Sequence, residues 1–110
     1  MEALVRRLSE ASRFRVFLMG SKQEAEIFEQ WVEKYPRVET LAGKCTFEEE
    51  LRQMSSFDLM VSMDSSNMHF ASCVGVPVVS IWGATHPKMG FYGWRQNPTW
   101  AVQRELPCRP

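Results

Sequence analysis

Apolar positions along the chain follow two different periods, and the places where one gives way to the other mark the elements. Leu4, Val5, Leu8 and Ala11 share one helical face, so the opening segment reads as an amphipathic helix. "FRVFLMG", Phe14 to Gly20, is a short apolar run closed by glycine and predicts a buried strand. "SKQEAEIFEQWVEKYP" predicts a helix. Ser21 is a suitable N-cap with Glu24 three residues on. Phe28, Trp31, Val32 and Tyr35 fall on one face, and Pro36 stops the helix. "RVETLAG" predicts a second strand. "TFEEELRQMSS" predicts a helix capped by Thr46, with Phe47, Leu51 and Met54 buried. "FDLMVSM", Phe57 to Met63, is a third strand. "NMHFASCV" is a short helix of mostly small residues closed by Gly75, and "VPVVSIWG", Val76 to Gly83, is a fourth strand.

The order is helix and strand in strict alternation. Strands that are apolar throughout are expected to be covered on both faces. Alternation with helices implies right-handed crossovers and parallel pairing. The fold class is therefore α/β, a Rossmann-like three-layer parallel sheet. Function in such sheets gathers at the carboxyl ends of the strands. Those ends here are "GSKQE", "LAGKC", "DSSNMH" and "GATHP". Past Gly83 no period holds. Residues 1–87 are expected to form the domain and residues 88–110 an irregular tail, long for a compact unit. A helical start and an aperiodic finish suggest a piece of a larger protein.

Composition narrows the partners. Thirteen Lys and Arg balance thirteen Asp and Glu, which gives no overall charge for nucleic acid or an anionic surface. Cys45, Cys73 and Cys108 are odd in number and widely spaced, so they form neither a disulfide framework nor a CxxC metal pair. Reduced thiols and a cytoplasmic setting are expected. The N-terminal stretch lacks the apolar core of a signal peptide, and no run nears the roughly 20 residues of a membrane-spanning helix.

The chemistry gathers in "DSSNMH". With a helix starting near Asn67, the amides of Ser65 to Met68 point out of a helix N-terminus, which favours an anion such as phosphate. The hydroxyls of Ser65 and Ser66 add donors. Asp64 suits sugar hydroxyls or the helix cap. The plain alternative is capping, since Asp, Ser and Asn are ordinary cap residues. His69 lies in the first turn, and a lone histidine is more often structural. Glu24, just past a strand end, suits ribose hydroxyls or a capping box equally. Thr85 and His86 in "GATHP" are first of all turn residues. Neither GxGxxG nor GxxxxGK[ST] is present. His69 and His86 with three scattered cysteines show no zinc spacing, and no nucleophile–base pair can be assembled.

Taken together, "FLMGSKQEAE" and the stretch from "LAGKCTFEEE" through "MDSSNMHFASCVGVP" to "GATHP" resemble glycosyltransferase family 9, the heptosyltransferases that build the lipopolysaccharide core from ADP-heptose. The family signature reads roughly D-[ST]-G-x-x-H-L-A-x-A-x-G-x-P. Asp64, Ser65, His69, Ala71, Gly75 and Pro77 stand in its register, and the resemblance runs from about Leu4 to Pro87. It implies a GT-B fold, two Rossmann-like halves across a cleft, of which this chain matches a truncated C-terminal, nucleotide-sugar-binding half. By that resemblance, Gly20, Glu24, Gly43 and Cys45 would serve the nucleoside. Ser65, Ser66, Asn67, Met68 and His69 would meet the diphosphate, and Asp64 and Thr85 the sugar.

The same resemblance implies an inverting transfer to a lipopolysaccharide-core acceptor, with the catalytic base in the other half, so that this chain alone is inactive. No metal or other cofactor is expected beyond the ADP-sugar substrate. The parent would be cytoplasmic, peripheral at the inner membrane, and no nucleic acid partner is implied. Two departures stand out. Ser66 replaces the usual glycine, narrowing the room against the backbone. The phosphate-binding lysine and the first strand of the half precede the chain's first helix. An absent central strand predicts an irregular sheet, or a homodimer through an exposed sheet edge. Two other readings compete: a non-catalytic α/β protein-interaction module using Phe91, Tyr92, Trp94 and Trp100, and a UDP-sugar-using GT-B enzyme.

Overall fold

The structure, a computed structural model, describes residues 1–107; Cys108 lies outside them. It divides into two units, Met1–Thr46 and the chain from Phe47 onward. The first holds α1 (Glu2–Glu10), β1 (Val16–Leu18), α2 (Ala25–Lys34) and β2 (Val38–Thr40). The second holds α3 (Phe47–Met54), β3 (Met60–Met63), α4 (Ser66–Cys73), β4 (Val78–Trp82) and β5 (Ala101–Gln103). Every predicted helix and strand is present, most with shorter bounds; α4 starts one residue earlier than expected, at Ser66.

The strands pair in parallel, but in two sheets rather than one. β1 pairs with β2, and β3, β4 and β5 form the other sheet in that order. The apolar pattern identifies strands but does not say which neighbours pair.

In the first unit Val5, Leu18 and Val38 are buried, with Val16, Phe28, Trp31, Val32 and Tyr35 packed against them. The helical face predicted on α2 is therefore the one that packs. Tyr35 leaves helical geometry with extended φ and ψ, as a residue before proline must. Glu2 ties the ends of this unit together: its Oε1 accepts from the Tyr35 hydroxyl at 2.7 Å and from Lys34 Nζ at 3.1 Å.

In the second unit Met60, Ser62, Val78, Ser80 and Trp82 are buried on one face of the sheet, together with Met68, Ala71 and Ser72 of α4. The other face, Val61, Met63, Val79, Ile81 and Val102, is partly exposed, reaching 59% at Met63. Strands apolar throughout predict cover on both faces, and here burial falls on one. Composition says what a face can bury, not what lies against it. Phe47, expected in the core, is 54% exposed and meets Phe70 edge-on, ring centroids 4.8 Å apart.

The segment read as an irregular tail contains β5, in register with β4: Ser80 opposite Ala101 and Trp82 opposite Gln103. Three residues are too few to show a period. Gln96 anchors the segment. Its Oε1 accepts from the Val78 amide at 2.7 Å, and its Nε2 donates to Ser72 Oγ and Val76 O, both at 3.0 Å. Gly93 is buried beside it; a Cβ there would lie 2.5 Å from Ser72 Oγ and 2.9 Å from Gln96 Cγ. Tyr92 stacks on Trp82, centroids 6.0 Å apart.

Gln96→Ala strands a partly buried amide at the start of β4 and should cost about 1–3 kcal/mol, measured by chemical denaturation. Gly93→Ala should cost a similar amount through overpacking. A second expectation concerns pH. The Tyr35 hydroxyl, and then Lys34, hold the Glu2 carboxyl below its ordinary value. A lowered folded value stabilises above the ordinary carboxylate range and is lost as pH falls through it. Glu2→Gln should therefore lower the melting temperature at neutral pH, and the difference from wild type should close in acid.

Candidate functional site

Because β3 and β4 run parallel with Met63 opposite Ile81, their carboxyl ends deliver "DSS" and "GAT" to the same edge of the sheet. The consequence is direct: Thr85 Oγ1 donates to Asp64 Oδ2 at 2.8 Å. The two residues expected at the sugar are thus brought together, 21 positions apart in the chain. Both are half-buried.

Helix α4 starts beside this pair. Ser65 is its N-cap, with extended backbone and no side-chain bond to the helix amides. Its hydroxyl instead meets Ser62 Oγ at 3.0 Å, and Ser62 Oγ donates to the Met63 carbonyl at 2.8 Å. The plain capping reading of this serine therefore fails here. The amide of Met68 already donates to Ser65 O at 3.2 Å, and the Met68 side chain is fully buried in the core. An anion at this helix end is served best by the amides of Ser66 and Asn67. Ser66 and His69 are exposed, and Asn67 is half-buried. Ser66 opens the helix in right-handed geometry, so its Cβ brings no backbone strain.

The rest of the signature is structural. Ala71 and Ser72 are buried, and α4 closes on Gly75 with φ of 80°. The Gly75 amide bonds Ser72 O at 3.2 Å and the Val76 amide bonds Ala71 O at 2.9 Å, the paired bonds of a left-handed glycine cap. Pro77 then accepts from the Met60 amide at 2.9 Å as the sheet begins. His86 caps the next turn, its Nδ1 accepting from the Lys88 amide at 3.1 Å.

The residues expected at the nucleoside lie in the first unit, after β1 and β2. Glu24 Oε2 accepts from the Ser21 amide at 2.8 Å and the Ser21 hydroxyl at 3.2 Å, so it is a helix-start residue as well as an exposed acid. Gly20 makes room for it: a Cβ there would sit 2.4 Å from Glu24 Oε2 and 2.7 Å from Phe28 Cε2. Gly43 turns with φ of 71°, and a Cβ on it would meet Lys22 Cγ at 3.4 Å. Gly43 is therefore next to the turn that carries Glu24. Cys45 is half-buried, with Sγ 3.7 Å from Leu41 O. Lys44 pairs with Glu29 at 2.7 Å.

A cavity of about 410 Å³ opens at the opposite, amino-terminal end of β1 and β2, lined by Ser12, Arg13, Phe14, Arg15, Arg37, Val38 and Glu39. Arg15 there is engaged with Glu39 at 2.5 Å, which lowers the Glu39 carboxyl below its ordinary value. Ligand sites in open parallel sheets gather at the carboxyl ends, so this cavity is not the candidate site. Among the described residues no three of His, Cys, Asp and Glu converge as a metal-ligand set. No helix of the described residues is long and apolar enough to cross a membrane.

A small α/β unit of parallel strands, with an acid–hydroxyl pair at their carboxyl ends beside a helix start, is consistent with a Rossmann-like fragment of a GT-B glycosyltransferase. The family model described as "Glycosyltransferase family 9 (heptosyltransferase)" matches residues 2–110, and the chain belongs to that family. The match includes the segment that sequence resemblance left out beyond Pro87. The chain is similar to lipopolysaccharide heptosyltransferase 3 of Escherichia coli, 36% identical over 77 residues. That alignment covers 67% of this chain and 22% of the relative, so the chain spans about a fifth of that relative's length. No solved structure matches it.

Sequence reasoning singled out Asp64, Thr85 and the helix start, which the structure brings to one edge, and passed over Ser62, Gln96 and β5. Ser62 was hidden inside a strand read as continuous apolar pattern. Its position two residues before Asp64, on the same strand face, was the available signal. Gly20→Ala should displace the Glu24 carboxylate from Ser21 and cost about 1–3 kcal/mol by overpacking. The measurement is a denaturation curve, and Glu24→Gln should be the milder of the two variants.

Proposed function

We propose that this chain is the donor-binding part of an enzyme that transfers heptose, or a related sugar, from an ADP-sugar to a lipopolysaccharide-core acceptor. The observation that carries the reading is the Asp64–Thr85 hydrogen bond at the carboxyl ends of β3 and β4, next to a helix start whose cap side chain is turned away. Family membership and the name of the Escherichia coli relative support the sugar and the acceptor class.

In this reading the amides of Ser66 and Asn67, with the Ser66 hydroxyl and His69, hold the diphosphate, while the Ser65 hydroxyl stays engaged with Ser62. Such groups stabilise the charge that develops as a nucleoside diphosphate departs. Asp64, oriented by Thr85, accepts from hydroxyls of the sugar. Glu24 and the turn at Gly43 serve the nucleoside. Met68 contributes packing rather than a free amide. Displacement at the anomeric carbon is inverting, and no metal is required where these groups carry the charge. The base and the acceptor site belong to the other half of the fold, so this chain alone is inactive. The setting is cytoplasmic, peripheral at the inner membrane. The outer edges of β1 and β2 are where a second copy would add.

Titration with ADP and with UDP, followed by amide NMR shifts, tests the reading. ADP should shift Ser65 to His69 and Glu24, and UDP should not. Equal response to both nucleotides would overturn the ADP assignment, and silence at millimolar ADP would overturn the site. In the full enzyme Asp64→Ala should lower transfer at least tenfold, the scale of a lost charged hydrogen bond of about 1.5–3 kcal/mol.

A further inference from the structure

Ser65 has the side chain and the backbone to cap α4, and it does not cap it. A serine in extended geometry ahead of a helix ordinarily turns its Oγ back to accept from one of the first helix amides. Here the backbone is extended and that bond is absent. The cause is Ser62, which is buried on the sheet face that carries Met60 and Ser80. Its Oγ donates to the Met63 carbonyl at 2.8 Å and lies 3.0 Å from Ser65 Oγ. A hydroxyl has a single proton to donate. With that of Ser62 committed to Met63, Ser65 is the donor in the pair, and its Oγ is drawn back onto the strand. The Met68 amide is already taken by Ser65 O at 3.2 Å. The amide that a capping Ser65 would use is therefore that of Asn67. It is left without a partner among the described residues, as is the amide of Ser66.

We propose that Ser62 is a positioning residue of the donor site: it holds the Ser65 hydroxyl on the strand, so that the Asn67 amide stays open to the diphosphate of the donor. This rests on the nucleotide-sugar reading above. Ser62 itself touches no ligand. Because it lies in the core, its hydroxyl has no water to turn to, and the two bonds that satisfy it fix its direction. An open helix start lowers the stability of the free protein, and functional sites are where such costs persist. The nucleotide offsets this cost. A diphosphate oxygen accepting from Asn67 takes the place of the missing cap, at the positive end of the helix. A Ser65 hydroxyl free to swing round would already occupy Asn67, and each incoming donor would have to displace it.

The test is calorimetric titration with ADP of the full-length enzyme as wild type, Ser62→Ala, Ser65→Ala and the double variant. It is joined to NMR amide exchange at Asn67 without ligand. Ser62→Ala should bind ADP about fivefold more weakly, the value of one cap bond. Its Asn67 amide should exchange more slowly than in wild type, because Ser65 turns to cap it. No such cap can form once Ser65 is alanine, so the double variant should bind ADP as Ser65→Ala does, a full coupling of the two sites. Should Ser62→Ala not fold, Ser62→Cys, similar in size and a weak acceptor, carries the same expectations. Equal loss in both backgrounds makes Ser62 a structural residue and overturns the proposal. Wild-type affinity in Ser62→Ala, or unchanged exchange at Asn67, also overturns it and leaves the donor-site reading standing. Failure of wild-type enzyme to bind ADP overturns the proposal and the donor-site reading together.

Discussion

The parallel register of β3 on β4 is the constraint from which the site follows. Two strands running the same way must end at the same edge, and a crossover must return the chain between them. Here the crossover is α4, with its start at that edge and its finish at the other. Asp64, the start of α4 and Thr85 are consequently neighbours whatever their separation in sequence. A slip of one residue would turn every side chain of β3 to the opposite face. It would also remove Asp64 from Thr85. The buried alternation Met60, Ser62 against Val78, Ser80, Trp82 is what holds that register.

The signature stretch separates into two jobs on this basis. Its beginning, Asp64 to Asn67 with His69, is open and polar. Its remainder is a device for stopping a helix and starting a strand: small buried residues at Ala71 and Ser72, a left-handed cap at Gly75, and Pro77 where the sheet begins. Gly75 and Pro77 matter to the site because they set where β4 starts, and hence where it ends. Ser66, the departure from the family pattern, falls among the polar residues, on right-handed backbone that any side chain accepts. What it changes is space and hydrogen bonding beside the helix start, not the path of the chain.

Much of this was legible in the chain itself, for physical reasons. Strong periodicity exposed α2 and its packed face, and Gly and Pro punctuation exposed its end and that of α4. The capping relation of Ser21 and Glu24 was visible in their spacing, but Gly20's part in it was not, because a missing Cβ leaves no signal until its neighbours are placed. Sheet partition was not legible, since apolar strands carry no label for their partners. Nor was Gln96. It acts through hydrogen bonds to two backbone groups and to Ser72 from an aperiodic segment, and a lone glutamine has no pattern around it.

Gln96 also bears on the order in which the second unit assembles. Its amide closes a loop of 18 positions onto Val78, and the two backbone groups it grips, the Val78 amide and the Val76 carbonyl, are in place only once α4 has ended and β4 has begun. Contacts of this kind form after the central pairing and carry little weight in the folding transition state. Their stabilisation therefore appears in the rate at which the unit opens rather than the rate at which it forms. The glutamine works as a latch: it does not help the sheet to find β5, but it sets how long β5 stays on the sheet.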